Sequence, residues 1–356
     1  MEQINVHTPS HSYPVYIGFD IYKFLEKFIP HTYSSIFIIT DEHVAPLYLE
    51  EIKSHLPDRK IFTKIIHAGE QSKSIEEFYH MHSYMIESGL DRQSLIIALG
   101  GGVVGDLAGF TAATYMRGID YIQLPTTILA HDSSVGGKVA INHENGKNMI
   151  GNFYQPRMVV YDTKTFTSLP MREFRSGYAE LIKEGLIQNK SMFENILSSC
   201  LNSLNKHQVK SHIKNGIQVK ASIVAKDEKE SGIRKHLNLG HTLGHALEAY
   251  FGYETLTHGE AVAVGLLFSL YVSEDIFKTA LPFHQLKDWL TANNYPLVFD
   301  EINTAKIIAL MKSDKKALNQ SVQMVLLKQI GEPVVRQIGD RELMSYLHHF
   351  LIELGK

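Results

Sequence analysis

Hydrophobic and polar positions divide this chain into two textures. In the first, short apolar and β-branched runs alternate with amphipathic stretches of helical period. Residues 35–40, 60–66, 94–99, 121–124 and 158–161 read as strands. The third of these is apolar at almost every position, as a strand covered on both faces would be. Residues 75–87 repeat with helical period, and 106–115 form a second helix after the turn at Gly100, Gly101 and Gly102. Such alternation predicts an open parallel sheet with helices on its faces. From Pro170 onward helical periods dominate, over 181–187, 192–201, 209–224, 237–251, 261–276, 281–290, 302–311 and 342–354. One β-like run, 322–327, predicts a small hairpin with Val334 and Val335. No repeat, low-complexity tract or Gly/Ser linker separates the two textures. The expected boundary is therefore a tight junction at Leu169 and Pro170. That places an α/β N-terminal, Rossmann-like dinucleotide-binding domain over 1–169 and a mainly α-helical C-terminal domain over 170–356. The site is expected in the cleft between them.

Composition narrows the classes of function. A chain of 356 residues, 44% hydrophobic and 21% charged, is an ordinary globular sequence. Its formal net charge of −3 offers no bulk attraction to nucleic acid or to an anionic membrane. Cys200 is the single cysteine, compatible with a reducing compartment. The first residues lack the basic and apolar regions of a signal peptide, and the apolar run 261–272 is too short to span a bilayer. A soluble, cytoplasmic protein with no nucleic-acid or membrane partner is expected.

Candidate chemistry clusters in both halves. His241 and His245 lie four apart on one predicted helix, hence on one face, and His258 follows where the next helix should begin. Neutral imidazoles at such spacing are natural metal ligands, although the chain holds 19 histidines and ordinary surface or hydrogen-bonded rings are the plain alternative. Gly100, Gly102 and Gly105 fit G-x-G-x-x-G between a strand and a helix. That turn suits close approach of a pyrophosphate to a helix N-terminus, and otherwise is a tight structural turn. Asp120 stands before its strand, so Asp41, ending an earlier strand, is the better ribose partner. Thr126 and Thr127 follow a strand. Asp132 and Lys138 flank Gly136 and Gly137, and Lys147 and Asn148 form a small basic loop. Lysines beside glycine turns suggest anionic ligands, phosphate above all.

In order along the chain, these residues resemble the 3-dehydroquinate synthase family, a branch of the sugar-phosphate cyclases related to glycerol and iron-dependent alcohol dehydrogenases. The resemblance runs from about Asp41 to Lys316. It takes in the stretch from Gly69 to Ser74, the glycine turn through Asp106, Arg117-Gly118, Pro125-Thr126-Thr127 and the run from Asp132 to Lys138. It continues through Gly146-Lys147-Asn148, Leu169-Pro170 with Arg172-Glu173, the segment from Ala179 to Lys183, the His241/His245 helix, His258-Gly259-Glu260 and Asp314-Lys315-Lys316.

The resemblance implies conversion of 3-deoxy-D-arabino-heptulosonate 7-phosphate to 3-dehydroquinate and phosphate, with NAD used catalytically. An alcohol is oxidised, phosphate leaves by β-elimination, the ketone is reduced again and an intramolecular aldol closes the ring. It further implies a divalent metal, zinc with cobalt as an alternative, on Glu180, His241 and His258. It gives His245 to the phosphate and proton-transfer network. Lys138, Asn148, Lys183 and Asn238 join that network, while Lys220, Arg234 and one of Lys315 or Lys316 face the substrate carboxylate. Asp132 and Glu230 orient these groups. NAD is expected on Asp41, Glu70, Lys73, Gly101, Gly102, Val103, Asp106, Thr126, Thr127, Lys138, Lys147 and Ser168, the last keeping a hydroxyl where threonine is usual. Arg117 resembles a residue contributed across a dimer interface, hence an expected homodimer. Without the other matches, Glu180 would read as a helix ion pair with Lys183. The alternatives are a sister cyclase of valiolone or inosose type, a metal-dependent polyol dehydrogenase and a non-catalytic nucleotide-binding protein. The cations for a carboxylate argue against the first, the phosphate set against the second and the metal ligands against the third.

Overall fold

The apolar runs of the first texture assemble into one seven-stranded sheet in the computed structural model, which describes residues 1–29, 32–56, 58–252, 255–299, 302–313 and 322–355. Its strands are β1 (Glu2–His7), β2 (Ser12–Gly18), β3 (Ser35–Asp41), β4 (Lys60–Ile66), β5 (Leu95–Gly100) and β6 (Tyr121–Pro125), joined later by β9 (Met158–Asp162). The order is β1-β2-β9-β6-β5-β3-β4; only β1 runs antiparallel to its neighbour. Between β6 and β9 the chain forms a separate hairpin of β7 (Lys138–His143) and β8 (Gly146–Phe153). Five helices accompany these strands: α1 (Leu25–Phe28), α2 (Ala45–Ser54), α3 (Ile75–Glu87), α4 (Gly102–Thr114) and α5 (Ala130–Ser133).

Strand alternation sorts the core into two layers. Ile36, Ile38, Leu95, Ile97 and Leu99 turn to one face and bury Leu49 and Ile52 of α2. Phe37, Ile39, Ile96 and Ala98 turn to the other, against Met81 and Met85 of α3 and Leu107 of α4. Each such aliphatic side chain contributes about 1.5–3 kcal/mol on burial. Helix α4 lies close to strand β6 and to the β7–β8 hairpin because Gly105 and Gly109 face them, a Cβ on Gly105 meeting Gln123 Oε1 of β6 at 3.0 Å. A Cβ on Gly109 would meet Val139 Cγ1 at 2.4 Å.

The chain divides into two compact units, Met1–Leu169 with Val224–Glu228, and Pro170–Ile223 with Lys229–Lys356. In the second unit the elements are α6 (Met171–Gln188), α7 (Lys190–Leu197), α8 (Lys206–Val224), α9 (His241–Phe251), α10 (His258–Phe277), α11 (Phe283–Ala292), α12 (Thr304–Ser313), the hairpin β10 (Val322–Leu327) with β11 (Pro333–Ile338), and α13 (Asp340–Leu354). Helix α10 is the hub, contacting α6, α9, α11, α13 and β10. Glycines let its neighbours come down to backbone contact. A Cβ on Gly259 would lie 1.9 Å from the Ser176 carbonyl oxygen of α6, and one on Gly265 would lie 1.8 Å from the Gly240 carbonyl oxygen before α9.

Several expectations need correction. Strands β1 and β2 and helix α2 were not expected, although β2 buries alternate residues and α2 buries Ala45, Tyr48, Leu49 and Ile52 at helical spacing. Gly146, Lys147 and Asn148 open strand β8 rather than forming a loop; that strand is largely exposed, so no hydrophobic pattern marks it. The helix expected over 237–251 starts at His241. Gly240, at φ +81°, ends a preceding 3-10 turn (Ile233–Asn238) and lets the chain change direction there. Helix α4 begins at Gly102, four residues before the expected start. Among the described residues no helix is long and apolar enough to cross a membrane.

The closest backbone approach generates a test of this packing. Gly265→Ala should cost about 3 kcal/mol, read as a lower midpoint in denaturant unfolding, because the new methyl has no space beside the Gly240 carbonyl. An unchanged midpoint would show that α9 and α10 are not in backbone contact.

Candidate active site

In the second unit, α6 is buried from Ser176 to Ile187 on all sides, so two charged residues one turn apart are carried into the interior. Glu180 and Lys183 are each 1% exposed and form an ion pair through Glu180 Oε2. His241 Nε2 lies 3.4 Å and His258 Nε2 3.2 Å from Glu180 Oε1. Burial alone would raise this carboxyl, but Lys183 and the two imidazoles outweigh it and hold it well below the usual carboxylate range. Despite this company, neither Glu180 oxygen has a hydrogen-bond partner of proper geometry among the described residues. Buried anionic oxygens left in this way fit a cation.

The two rings are aimed from behind. His241 Nδ1 lies 3.2 Å from the Leu239 carbonyl oxygen, and His258 Nδ1 lies 2.9 Å from Glu248 Oε2. With Nδ1 occupied, each ring presents Nε2 toward Glu180, the arrangement that prepares an imidazole for a metal. Backbone placement is equally constrained. His258 is the first residue of α10, whose N-terminus is closed by a capping box. The Thr257 side chain accepts from the Glu260 amide at 3.3 Å, and Glu260 Oε2 accepts from the Thr257 amide at 3.0 Å. Arg175 donates to Glu260 Oε1 at 3.0 Å, and the Gly259 amide donates to Ser176 Oγ at 3.0 Å, so α10 starts against α6. Burial pushes His241 down to about 4. At His258 burial acts in the same direction, but the carboxylates of Glu248 and Glu180 reverse it and raise the ring to about 9.

His245, one turn beyond His241, stands with its ring centroid 5.3 Å from that of His241 and 5.8 Å from that of His258. The three histidines offer nitrogens within 4.8 Å of one another. Two donor sets are thus available, three imidazoles or Glu180 with His241 and His258. The second fits a divalent cation better, because it satisfies the buried carboxylate and uses both rings whose Nδ1 is already held.

Other expected residues of this unit are distributed as follows. Lys220 on α8 and Arg234 in the 3-10 turn are buried cations. Asn238 donates to Glu230 Oε1 at 2.8 Å, and Glu230 sits at φ +57°. Lys315 and Lys316 lie outside the described residues.

The first unit holds a second polar centre. Lys73, 3% exposed, donates to Asp106 Oδ2 at 2.6 Å and to Asn148 Oδ1, and lies 3.4 Å from Glu70 Oε1. Lys147 lies 3.5 Å from Glu70 Oε2, and Asn142 donates to Glu70 Oε1 at 2.9 Å. Burial pushes Asp106 up despite Lys73, whereas Lys73 and Lys147 bring Glu70 below its ordinary value against the effect of burial. Glu70, Lys73, Asp106, Lys147 and Asn148 are therefore brought together. At the glycine turn, Thr127 and Ser133 flank Gly101 and Gly102, where added Cβ atoms would meet them at 3.1 and 3.2 Å. Thr126 Oγ1 and Ser133 Oγ, both buried atoms, have no partner among the described residues. The turn leads into the N-terminus of α4, with Val103 in its first turn, and a helix N-terminus has the backbone amides and dipole end that suit an anion.

Asp41 Oδ1 accepts from the amides of His43 and Val44, both at 2.9 Å, so one oxygen is committed to closing its own turn. Ser168 Oγ lies 2.5 Å from Tyr48 Oη and donates to the Thr165 carbonyl at 3.0 Å, a structural engagement. Asp132 ends in α5, Gly136 and Gly137 adopt positive φ, and the exposed Lys138 opens β7. Arg117 is exposed in a run where Met116, Arg117 and Gly118 all have positive φ. Sequence reasoning gave no role to Asn142, Ser133, Glu248 or Glu260. The Thr257-x-x-Glu260 spacing is a readable cap signature, and Glu248 follows His241 by seven residues on the same helix face.

A family model described as 3-dehydroquinate synthase N-terminal matches residues 63–176, and one described as 3-dehydroquinate synthase C-terminal matches 177–317. A 3-dehydroquinate synthase of Oceanobacillus iheyensis is 53% identical over the whole of both chains. Among solved structures, a 2-deoxy-scyllo-inosose synthase complexed with carbaglucose-6-phosphate, NAD+ and Co2+ superposes with a TM-score of 0.89. It is 24% identical, over 98% of this chain and 100% of that one. A 2-epi-5-epi-valiolone synthase from Streptomyces hygroscopicus subsp. jinggangensis, with NAD+ and Zn2+ bound, has a TM-score of 0.86 at 22% identity, over 96% and 98%.

The two donor sets predict different outcomes for zinc titration of metal-free protein. With Glu180, His241 and His258 as ligands, His258→Ala should abolish stoichiometric binding, while His245→Ala should keep it. Loss of zinc in His245→Ala would move the site onto the three imidazoles.

Proposed function

The chain belongs to the 3-dehydroquinate synthase family, and from that premise we propose that it converts 3-deoxy-D-arabino-heptulosonate 7-phosphate to 3-dehydroquinate and phosphate, as a carbon–oxygen lyase. The observation that carries the reading is the buried Glu180 carboxylate, facing two Nε2 atoms and the Lys183 ammonium, in a chain 53% identical to a synthase over its full length.

Bound NAD would supply reversible hydride transfer, and a divalent metal, zinc or cobalt, would supply Lewis acidity toward the substrate oxygens. Glu180, His241 and His258 are the residues to hold the metal, leaving its remaining positions to the substrate. Gly101, Gly102 and Val103 with Thr126 and Thr127 would receive the dinucleotide phosphates. Glu70, Lys73, Asp106 and Lys147 would fix the rest of the cofactor, with Asp41 on a ribose and Ser168 alongside. The cluster of Lys73, Asp106, Glu70 and Lys147 supports this, since a prearranged polar network loses little on receiving a ligand.

The substrate carries two anions, so fixed cations must be provided for both ends. Lys183, Lys138, Asn148 and Asn238, with His245 for proton transfer, are assigned to the phosphate. Lys220 and Arg234 are assigned to the carboxylate, with Lys315 or Lys316; Asp132 and Glu230 orient them. Lys220 and Arg234 are both buried cations, the chemistry that a carboxylate group of the substrate pairs with. A sister cyclase acting on an uncarboxylated sugar phosphate would not need them. We further assign Arg117 to a neighbouring subunit's site in a homodimer, supported by its exposed, strained backbone. We place the enzyme in the cytoplasm, in keeping with its single cysteine.

The reaction leaves a diagnostic balance. With the heptulosonate phosphate, zinc and NAD at a small fraction of the substrate, phosphate should be released over many turnovers without build-up of NADH. NADH formed in proportion to substrate would instead identify a dehydrogenase, and phosphate release limited to one equivalent of NAD would refute catalytic use of the cofactor.

A further inference from the structure

We propose that Glu248 is a positioning residue of the metal site, its carboxylate holding the His258 ring so that Nε2 faces Glu180; this rests on the reading of Glu180, His241 and His258 as metal ligands. Glu248 is 3% exposed, and its Oε2 lies 2.9 Å from His258 Nδ1. It comes from α9, one turn beyond His245, whereas His258 opens α10. These helices are locked together where Gly244 meets the Ala261 carbonyl oxygen, a Cβ there falling 3.2 Å from it. The carboxylate is therefore presented to the ring by a rigid element and not by a loop.

The two imidazoles are held unequally. His241 leans on a neutral carbonyl oxygen at 3.2 Å, whereas His258 leans on a carboxylate at 2.9 Å. A charged acceptor fixes the tautomer more firmly and makes the opposite nitrogen a better donor to a cation. His258 needs the stronger hold, because it stands at a helix terminus and is the more exposed of the two rings, 27% against 11%. Charge points the same way. Glu180 is already matched by Lys183, so Glu248 would add a second negative charge near a bound divalent ion.

The test compares Glu248→Gln and Glu248→Ala with the unchanged metal-free protein. Zinc affinity is measured by competition with a chromogenic chelator, the visible absorption of the cobalt(II)-loaded forms is recorded, and so is the melting temperature of each metal-free form. Glu248→Ala should weaken zinc binding about 10–100-fold and alter the cobalt spectrum. Glu248→Gln, which still offers an acceptor to Nδ1–H, should lose less, with its metal-free melting temperature close to that of the unchanged protein. If Glu248→Ala does not fold, the affinity and spectrum of Glu248→Gln decide alone. Wild-type affinity and spectrum in the variants would overturn the proposal while leaving the ligand set standing. An unchanged protein that takes up no zinc would overturn the ligand set and this proposal together.

Discussion

A carboxylate withdrawn from water must find positive charge or lose its own, and Glu180 is withdrawn almost completely. The second unit is arranged around that demand. Lys183 meets one oxygen from the next turn of the same helix, and two imidazoles approach the other from separate helices. None of them makes a well-directed hydrogen bond to it. A buried carboxylate surrounded in this way by an ammonium and two imidazoles is suited to join a ligand set for a cation.

Holding three donors from α6, α9 and α10 at one place requires helices closer than bulky side chains allow. Gly259 against Ser176, Gly265 against Gly240 and Gly244 against Ala261 remove the side chains at those crossings. Capping then does what packing cannot, since Thr257 and Glu260 settle where α10 begins and hence where His258 stands. The first unit solves a related problem by other means. There a parallel sheet presents a glycine turn and a helix end, and Lys73 gathers the side chains of Asp106, Asn148 and Glu70 beside them.

Legibility followed burial. Strands β3, β5 and β6, buried almost throughout and mostly apolar, are plain in the sequence, as are the long helices of the second unit. Strand β8 is exposed and glycine-containing, so no period distinguishes it from a loop, and Lys147 and Asn148 were misplaced with it. The start of α9 depends on a left-handed Gly240, which a hydrophobic pattern does not register. At the site, histidine spacing located the right helix. Glu180 was ambiguous for a physical reason: it forms the i,i+3 ion pair with Lys183 that local reasoning predicts, and only folding adds His241 and His258. Glu248 shares a helix face with His241, but its pairing with His258 crosses to another helix and no local pattern shows it.

The identity of the ligands decides whether Glu180 is the centre of the site or a spectator beside three imidazoles. X-ray absorption at the zinc K-edge of the loaded protein separates these most directly, since imidazole rings give characteristic multiple scattering and a carboxylate does not. Glu180, His241 and His258 as ligands predict two imidazoles with a carboxylate oxygen in the first coordination shell, and loss of that oxygen in Glu180→Ala. Three imidazoles, with a spectrum unchanged in Glu180→Ala, would contradict it.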